Sequence, residues 1–259
     1  MRRRQFIELE DLPWWPQVFR DGVTDYLATS IRFTKIHRTV APRLAAAIQR
    51  SGANRITDLC SGAGGPWSEL LPELTTMGAT PSLCLTDKFP NTRALSKLIA
   101  KIPQARFEAQ PASATNMPEH LSGFRTLFTA FHHFEPNDAQ AILQAAVRDR
   151  QGIAIFEGAS RTPRALIFML CIPLTVCLMT PLIRPFRWSR LFWTYILPVI
   201  PAAAMFDAIV SCLRMYTPEE MLTMARQVGD GVFDWEAGYD RTAGLPIRIP
   251  YLIGVPRRT

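Results

Sequence analysis

Two acids, a glycine-rich turn and a pair of histidines are the residues of this chain whose types and spacing suit chemistry. In Ile56-Thr57-Asp58-Leu59-Cys60-Ser61-Gly62-Ala63-Gly64-Gly65-Pro66-Trp67 an apolar strand ends at an acid, passes through glycines and opens a helix. Glycine has no side chain to hold a ligand off the backbone. The helix start behind it offers unpaired N–H groups and a partial positive charge. Asp58 repels phosphate at short range, so a nucleotide with a cationic or neutral tail suits the turn better than a dinucleotide pyrophosphate. The second acid, Asp87, closes the apolar run Leu83-Cys84-Leu85-Thr86. An acid about 20 residues beyond such a turn accepts hydrogen bonds from ribose hydroxyls; otherwise it is a solvated strand end. Lys88 and Phe89 follow, with Phe89 placed either to lie against an adenine or to pack under the next helix. Further on, Phe128-Thr129-Ala130-Phe131-His132-His133-Phe134 sets two imidazoles at the exit of a strand. Strand ends on that side border the ligand crevice of an open α/β sheet. A histidine there can take a proton from a substrate, or it can shape the pocket or cap the next helix. The sequence does not distinguish His132 from His133.

The elements that must position these residues alternate between strand and helix. Strands are expected at Ile56–Leu59, Ser82–Thr86, Ala105–Gln110, Arg125–Ala130 and Gly152–Glu157. Helices are expected at Trp67–Met77, Thr92–Ile102 and Asn137–Arg148, giving an α/β chain with a parallel sheet. Thr217-Pro218-Glu219-Glu220 then has the pattern of a capping box, opening a helix to about Val228. Strands Val232–Tyr239 and Ile247–Val255, joined by Arg241–Pro246, end the chain. Residues 5–50 show helical periodicity and are expected to cover one sheet edge, or to form a lid bringing Tyr26 or Phe33 to a ligand.

The turn Asp58-x-Cys60-x-Gly62-x-Gly64 resembles motif I of the class I S-adenosylmethionine-dependent methyltransferases, with Cys60 where the first glycine is common. Ala112-Ser113-Ala114-Thr115-Asn116-Met117-Pro118 is similar to that family's Asp-Ala-x-x-Leu-Pro element, whose aspartate receives the adenine amino group. Here Ser113 offers a neutral, weaker acceptor. The pair His132-His133 looks like an element of a subset that includes quinone-biosynthesis C-methyltransferases. The resemblance covers about residues 50–157 well and 217–259 in outline. It implies a Rossmann-like, mostly parallel seven-stranded sheet with an antiparallel terminal hairpin, and S-adenosyl-L-methionine as cofactor. On the cofactor side it implies Asp58, Cys60, Gly62, Ala63, Gly64, Asp87, Lys88, Phe89, Ser113, Ala114 and Phe131; on the acceptor side it implies His132 or His133. A nicotinamide-dependent oxidoreductase is the main rival, and a non-catalytic, membrane-associated binder of the same cofactor a second. Against the first, Gly62-Ala63-Gly64-Gly65 lacks a third glycine in dinucleotide register.

Length and charge bound the rest. At 259 residues the chain can hold an α/β core with an elaboration, and its formal charge of +7 suits an anionic partner. Cys60, Cys84, Cys171, Cys177 and Cys212 have no metal-ligand spacing, so a reduced cytoplasmic protein without a metal site is expected. Met1-Arg2-Arg3-Arg4 leads into acids instead of an apolar run, unlike a secretory signal. No stacking motif of a nucleic-acid-binding module is present. The parts are then 1–50, 51–157, an arginine-flanked apolar insertion at 158–216, and 217–259.

That insertion departs from the alternating pattern. Residues 158–206 contain no acid but carry Arg161, Arg164, Arg184, Arg187 and Arg190, and Ala165–Ile183 is uncharged. Such a run has the length of a spanning helix. Pro173, Pro181, Pro198 and Pro201 interrupt it, however, and arginines at both ends give no inside and outside. Arginine and tryptophan beside apolar runs favour a segment in the interface of an anionic membrane; a transmembrane hairpin and a buried cap are the other readings. All three put apolar surface directly after the fifth strand, matching a hydrophobic or lipid-like small-molecule acceptor.

Overall fold

The computed structural model describes residues 1–242 and 248–257, so most of the expected connection Arg241–Pro246 lies outside the described residues. In chain order the helices are α1 (Gln17–Thr34), α2 (Ala41–Ser51), α3 (Trp67–Thr76), α4 (Thr92–Ile99), α5 (Pro136–Arg148), α6 (Pro163–Met169), α7 (Ile172–Met179), α8 (Trp188–Leu191), α9 (Val199–Arg214) and α10 (Pro218–Gly229). The strands are β1 (Arg55–Leu59), β2 (Ser82–Leu85), β3 (Ala105–Phe107), β4 (Phe124–Phe128), β5 (Ile153–Phe156), β6 (Phe233–Arg241) and β7 (Arg248–Pro256).

The strands form one sheet in the order β3-β2-β1-β4-β5-β7-β6. The first five pair in parallel, and β7 inserts antiparallel between β5 and β6. Every residue of β4 and β5 is buried, which explains why these strands read as unbroken apolar runs. One core joins Leu59, Leu127, Ile155 and Leu252 to Ile142 and Leu143 of α5 and Met221 of α10. β4 ends two residues before the Ala130 expected from sequence, because Thr129 turns into the left-handed region at φ 53°.

Helix starts follow the sequence signals. Asn91 caps α4 by accepting from the Ala94 N–H at 3.1 Å. Thr217 and Glu220 complete a reciprocal capping box, with the Thr217 N–H donating to Glu220 Oε2 at 2.9 Å. α2 belongs with the sheet: Arg43 on it forks onto Asp240 of β6 at 2.8 Å and lies 3.9 Å over the Tyr251 ring of β7.

The remaining helices make a second compact unit, built chiefly from Met1–Ile36 and Ala159–Met215. Val23 and Tyr26 of α1, Val176 of α7, and Ile200 and Ala203 of α9 form its core. Asp207 on α9 holds the entering chain by accepting the Leu9 N–H at 2.6 Å. Tyr26 hydrogen-bonds to Thr175 at 2.7 Å inside this unit. By length and composition one helical run, Pro163–Leu182, could cross a membrane.

Candidate active site

Parallel order reverses between β1 and β4, and the crevice outside the carboxyl ends at such a reversal is where open α/β sheets bind ligands. The glycine turn leaves β1 there, and the histidine pair leaves β4. Between Cys60 and Gly65 the backbone passes repeatedly through the left-handed region, at φ 55° for Cys60, 52° for Gly62, 110° for Gly64 and 52° for Gly65. Only glycine adopts that conformation without cost, which is why the stretch is glycine-rich and why Cys60 is an awkward occupant. A Cβ at Gly62 would meet nothing within 4 Å, so this part of the turn faces open space. A Cβ at Gly64 would lie 2.1 Å from Leu98, so that glycine lets α4 pack against the turn.

The structure brings the turn and the second acid together. Asp87 Oδ2 accepts the Gly62 N–H at 2.8 Å and Oδ1 accepts the Phe89 N–H at 2.8 Å. The half-buried carboxylate is thereby fixed at the mouth of the turn. Phe89 is 80 % exposed, with the Lys88 ammonium 5.8 Å from its ring centroid. Gly62 and Ala63 are exposed beside them.

Asp58 does something other than what its position in the sequence suggests. It is buried, with Oδ1 accepting from the Thr126 hydroxyl at 2.6 Å and Oδ2 from the Ser61 hydroxyl at 2.7 Å. Its oxygens therefore tie β1 to β4 and to the turn rather than reaching for a ligand. Burial lifts its carboxyl to about 6, the two hydroxyl bonds opposing the rise. Burial, together with the charges of Asp87 and Asp58, pushes the Cys60 thiol up to about 12, so it is a neutral packing group rather than a nucleophile.

Ser113 is half-buried and shares a hydrogen bond with Thr115 at 2.9 Å; Ala114 is buried in the sheet core. Phe131 is also buried in that core, tilted against Tyr216 with ring centroids 5.4 Å apart. The expectation that Phe131 lines the cofactor therefore gives way to a packing role in this structure.

The histidines part company. His132 is buried, and its ring Nδ1 lies 2.8 Å from Glu157 Oε2 while its backbone N–H donates to Glu157 Oε1 at 2.7 Å. Glu157, directly after β5, is fully buried and so grips one residue twice. His133 is exposed, its ring centroid 4.4 Å from that of His132. The sequence reading ended a strand at Glu157 without giving it a role. The available signal was an acid at the tip of the strand next to the histidines.

A further histidine of the sheet unit also went unread. His37 is buried edge-on to Phe128 at 5.5 Å, in an aromatic layer with Trp67 and Phe156. Neither of its ring nitrogens has a hydrogen-bond partner among the described residues. Burial alone drives its pKa down to about 4, keeping it neutral.

No family model matches the chain, and no curated protein matches it. Solved structures do. The plantazolicin methyltransferase BpumL in complex with SAH aligns with a TM-score of 0.58 at 10 % identity, over 92 % of this chain and 90 % of its own. The plantazolicin methyltransferase BamL, in complex with a triazolic desmethylPZN analog and SAH, aligns at 0.51 and 11 % identity, over 93 % and 99 %. The methyltransferase domain of bacterial CtHen1-C also aligns at 0.51 and 11 % identity, over 86 % and 100 %. By strand order, by the turn at its reversal point and by these likenesses, the chain has the fold of the class I S-adenosylmethionine-dependent methyltransferases.

Proposed function

We propose that this protein transfers a methyl group from S-adenosylmethionine to a hydrophobic small molecule, working at the cytoplasmic face of a membrane. The observation that carries the reading is the join between the open glycine turn and the Asp87 carboxylate at the sheet's reversal point. The residues fit the cofactor: the Gly62 backbone faces open space for a close approach, and Asp87 is held where ribose hydroxyls would donate to it. When bound, the cofactor supplies an electrophilic methyl on a sulfonium whose leaving group is neutral. The protein's own part is to align the acceptor and manage its proton. Glu157 holds the His132 ring in place at the exit of β4, where an imidazole would serve as general base toward an acceptor hydroxyl, amine or acidic carbon. Glu157 then stabilises the imidazolium that results.

The hydrophobic character of the acceptor is supported by the helical segment that the chain enters directly from Glu157. That unit carries a groove of about 660 Å³ whose lining includes Leu9, Trp15, Leu197, Ala203 and Phe206. Its size and apolar lining suit a small hydrophobic ligand. A nicotinamide-dependent oxidoreductase is disfavoured by the antiparallel β7 within the sheet and by the short turn. A non-catalytic binder gives no reason for a buried carboxylate–histidine pair at a strand tip.

Calorimetric titration with S-adenosylhomocysteine and with NADH separates these readings. The homocysteine ligand is expected to bind and NADH not to. Asp87→Ala should weaken the former by roughly ten-fold or more, the worth of a charge-assisted hydrogen bond. Binding of NADH alone, or unchanged affinity in the variant, would remove the proposal's foundation.

A further inference from the structure

We propose that the outward face of the run Pro163–Leu182 lies in the interface of an anionic lipid bilayer, parallel to its plane. The inference deepens the membrane-face part of the proposed function and does not rest on methyl transfer. It starts from a division of faces within one run. Ile167, Leu170, Leu174, Leu178 and Leu182 are 66, 58, 63, 65 and 54 % exposed. Spaced three and four apart, they make an apolar stripe along one side. Ala165, Met169, Val176 and Thr180 are buried on the other side. Soluble chains seldom leave so long a stripe uncovered.

The buried side decides against spanning. A helix that crosses a bilayer meets lipid or other apolar helices all round, but this one packs on α1 and α9 through Val23, Tyr26 and Ile200. Those helices carry Asp21, Asp25 and Asp207. Asp21 pairs with Arg187 at 2.9 Å, and Asp25 with the buried Arg190. Drawing this unit through hydrocarbon would take those charges with it, at a cost of several kcal/mol for each unsatisfied group. An in-plane helix places only the stripe in lipid.

Charge picks the occupant. Residues 158–206 hold no Asp or Glu, and Arg164 and Arg184 are exposed at the two ends of the stripe. Long arginine stems can lie along apolar surface and reach outward to phosphate headgroups. Trp188, 78 % exposed, and Phe186, with ring centroids 5.1 Å apart, add the aromatic pair favoured at headgroup depth. Antiparallel pairing of the stripe with a second copy would set arginine against arginine at both ends, so lipid is the better match.

The test uses full-length protein sedimented with vesicles of phosphatidylcholine alone or mixed with phosphatidylglycerol. Binding to the mixed vesicles is expected to exceed binding to the neutral ones by roughly ten-fold, and to fall with added salt. The double substitution Leu170→Glu with Leu174→Glu changes outward side chains only, so it should keep the thermal unfolding transition and lose vesicle binding. As a second, milder variant, Arg164→Gln with Arg184→Gln should remove the preference for the anionic lipid. The proposal is overturned if wild type binds neither vesicle, if the leucine variant binds as wild type does, or if the free protein is a dimer that this variant dissociates. S-adenosylhomocysteine titration of the same samples reports the cofactor site separately, so the two readings can fail independently.

Discussion

Glu157 shows how much one buried side chain can settle about a site. Both carboxylate oxygens bond to His132, one to its backbone N–H and one to its ring, which holds the imidazole in place. Glu157→Gln keeps the shape and loses the charge that stabilises a protonated ring. Its expected effect is a fall in kcat of about a hundred-fold or more, within the usual range for a positioned base, with KM and S-adenosylhomocysteine affinity little changed. Steady-state kinetics on the identified acceptor check this; a variant that loses thermal stability at constant kcat would make the pair purely structural. His133 is exposed where His132 is buried, so it should tolerate alanine far better than His132.

His37 and Asp58 are also residue-scale features, with effects of opposite sign. Unfolded imidazole titrates near 6.5 and His37 at about 4, so between those values the unfolded chain binds the extra proton. The stability His37 contributes is therefore full above pH 6.5 and is lost as pH falls toward 4, by ~3 kcal/mol. Asp58 rises from 3.8 to about 6, so its folded form binds the proton first, and its contribution is full below 3.8 and declines as pH climbs through 6. Denaturant unfolding of wild type and His37→Leu from pH 7 to pH 4 tests this. The variant should lose the acid-side decline and keep the Asp58 trend. Parallel curves would show that His37 finds a partner on protonation.

At the scale of elements, the turn between β1 and α3 separates packing from binding by position. Gly64→Ala must push Leu98 aside and hold a side chain at φ 110°, so it should cost about 2 kcal/mol of stability and loosen the turn. Gly62→Ala meets no neighbour and costs only the left-handed strain of about 1 kcal/mol, yet it places a methyl where a ligand would approach. Melting curves paired with S-adenosylhomocysteine titrations should therefore split the two. Gly64→Ala should lower Tm more, and Gly62→Ala should lose more affinity per degree. Equal losses of affinity per degree of melting would mean that Gly62 does not face the ligand.

At the scale of the molecule, much was legible early. The alternation from Arg55 to Phe156 gave strands and helices to within a few residues, because a doubly covered parallel sheet needs apolar runs of a set length, broken by turn residues. The capping box at Thr217 was readable because its two hydrogen bonds are local. So were the glycine turn and Asp87, whose spacing follows from one strand–helix–strand unit. What depended on distant residues was hidden. Asp58 looked like a ligand-facing acid until Thr126 and Ser61 claimed its oxygens, and Phe131 looked like pocket lining until Tyr216 covered it. Glu157 had no visible role until β4 and β5 lay side by side.

Local order thus came from the chain alone: helix periodicity, caps, left-handed turns and a net positive charge act over a few residues or over composition. Tertiary structure decided which of two histidines is buried against Glu157, that Asp58 is buried while Asp87 sits at the mouth of the turn, and that one side of Pro163–Leu182 is buried. Each of those depends on desolvation and on partners brought together from far apart in sequence, and neither has a signature within a short window.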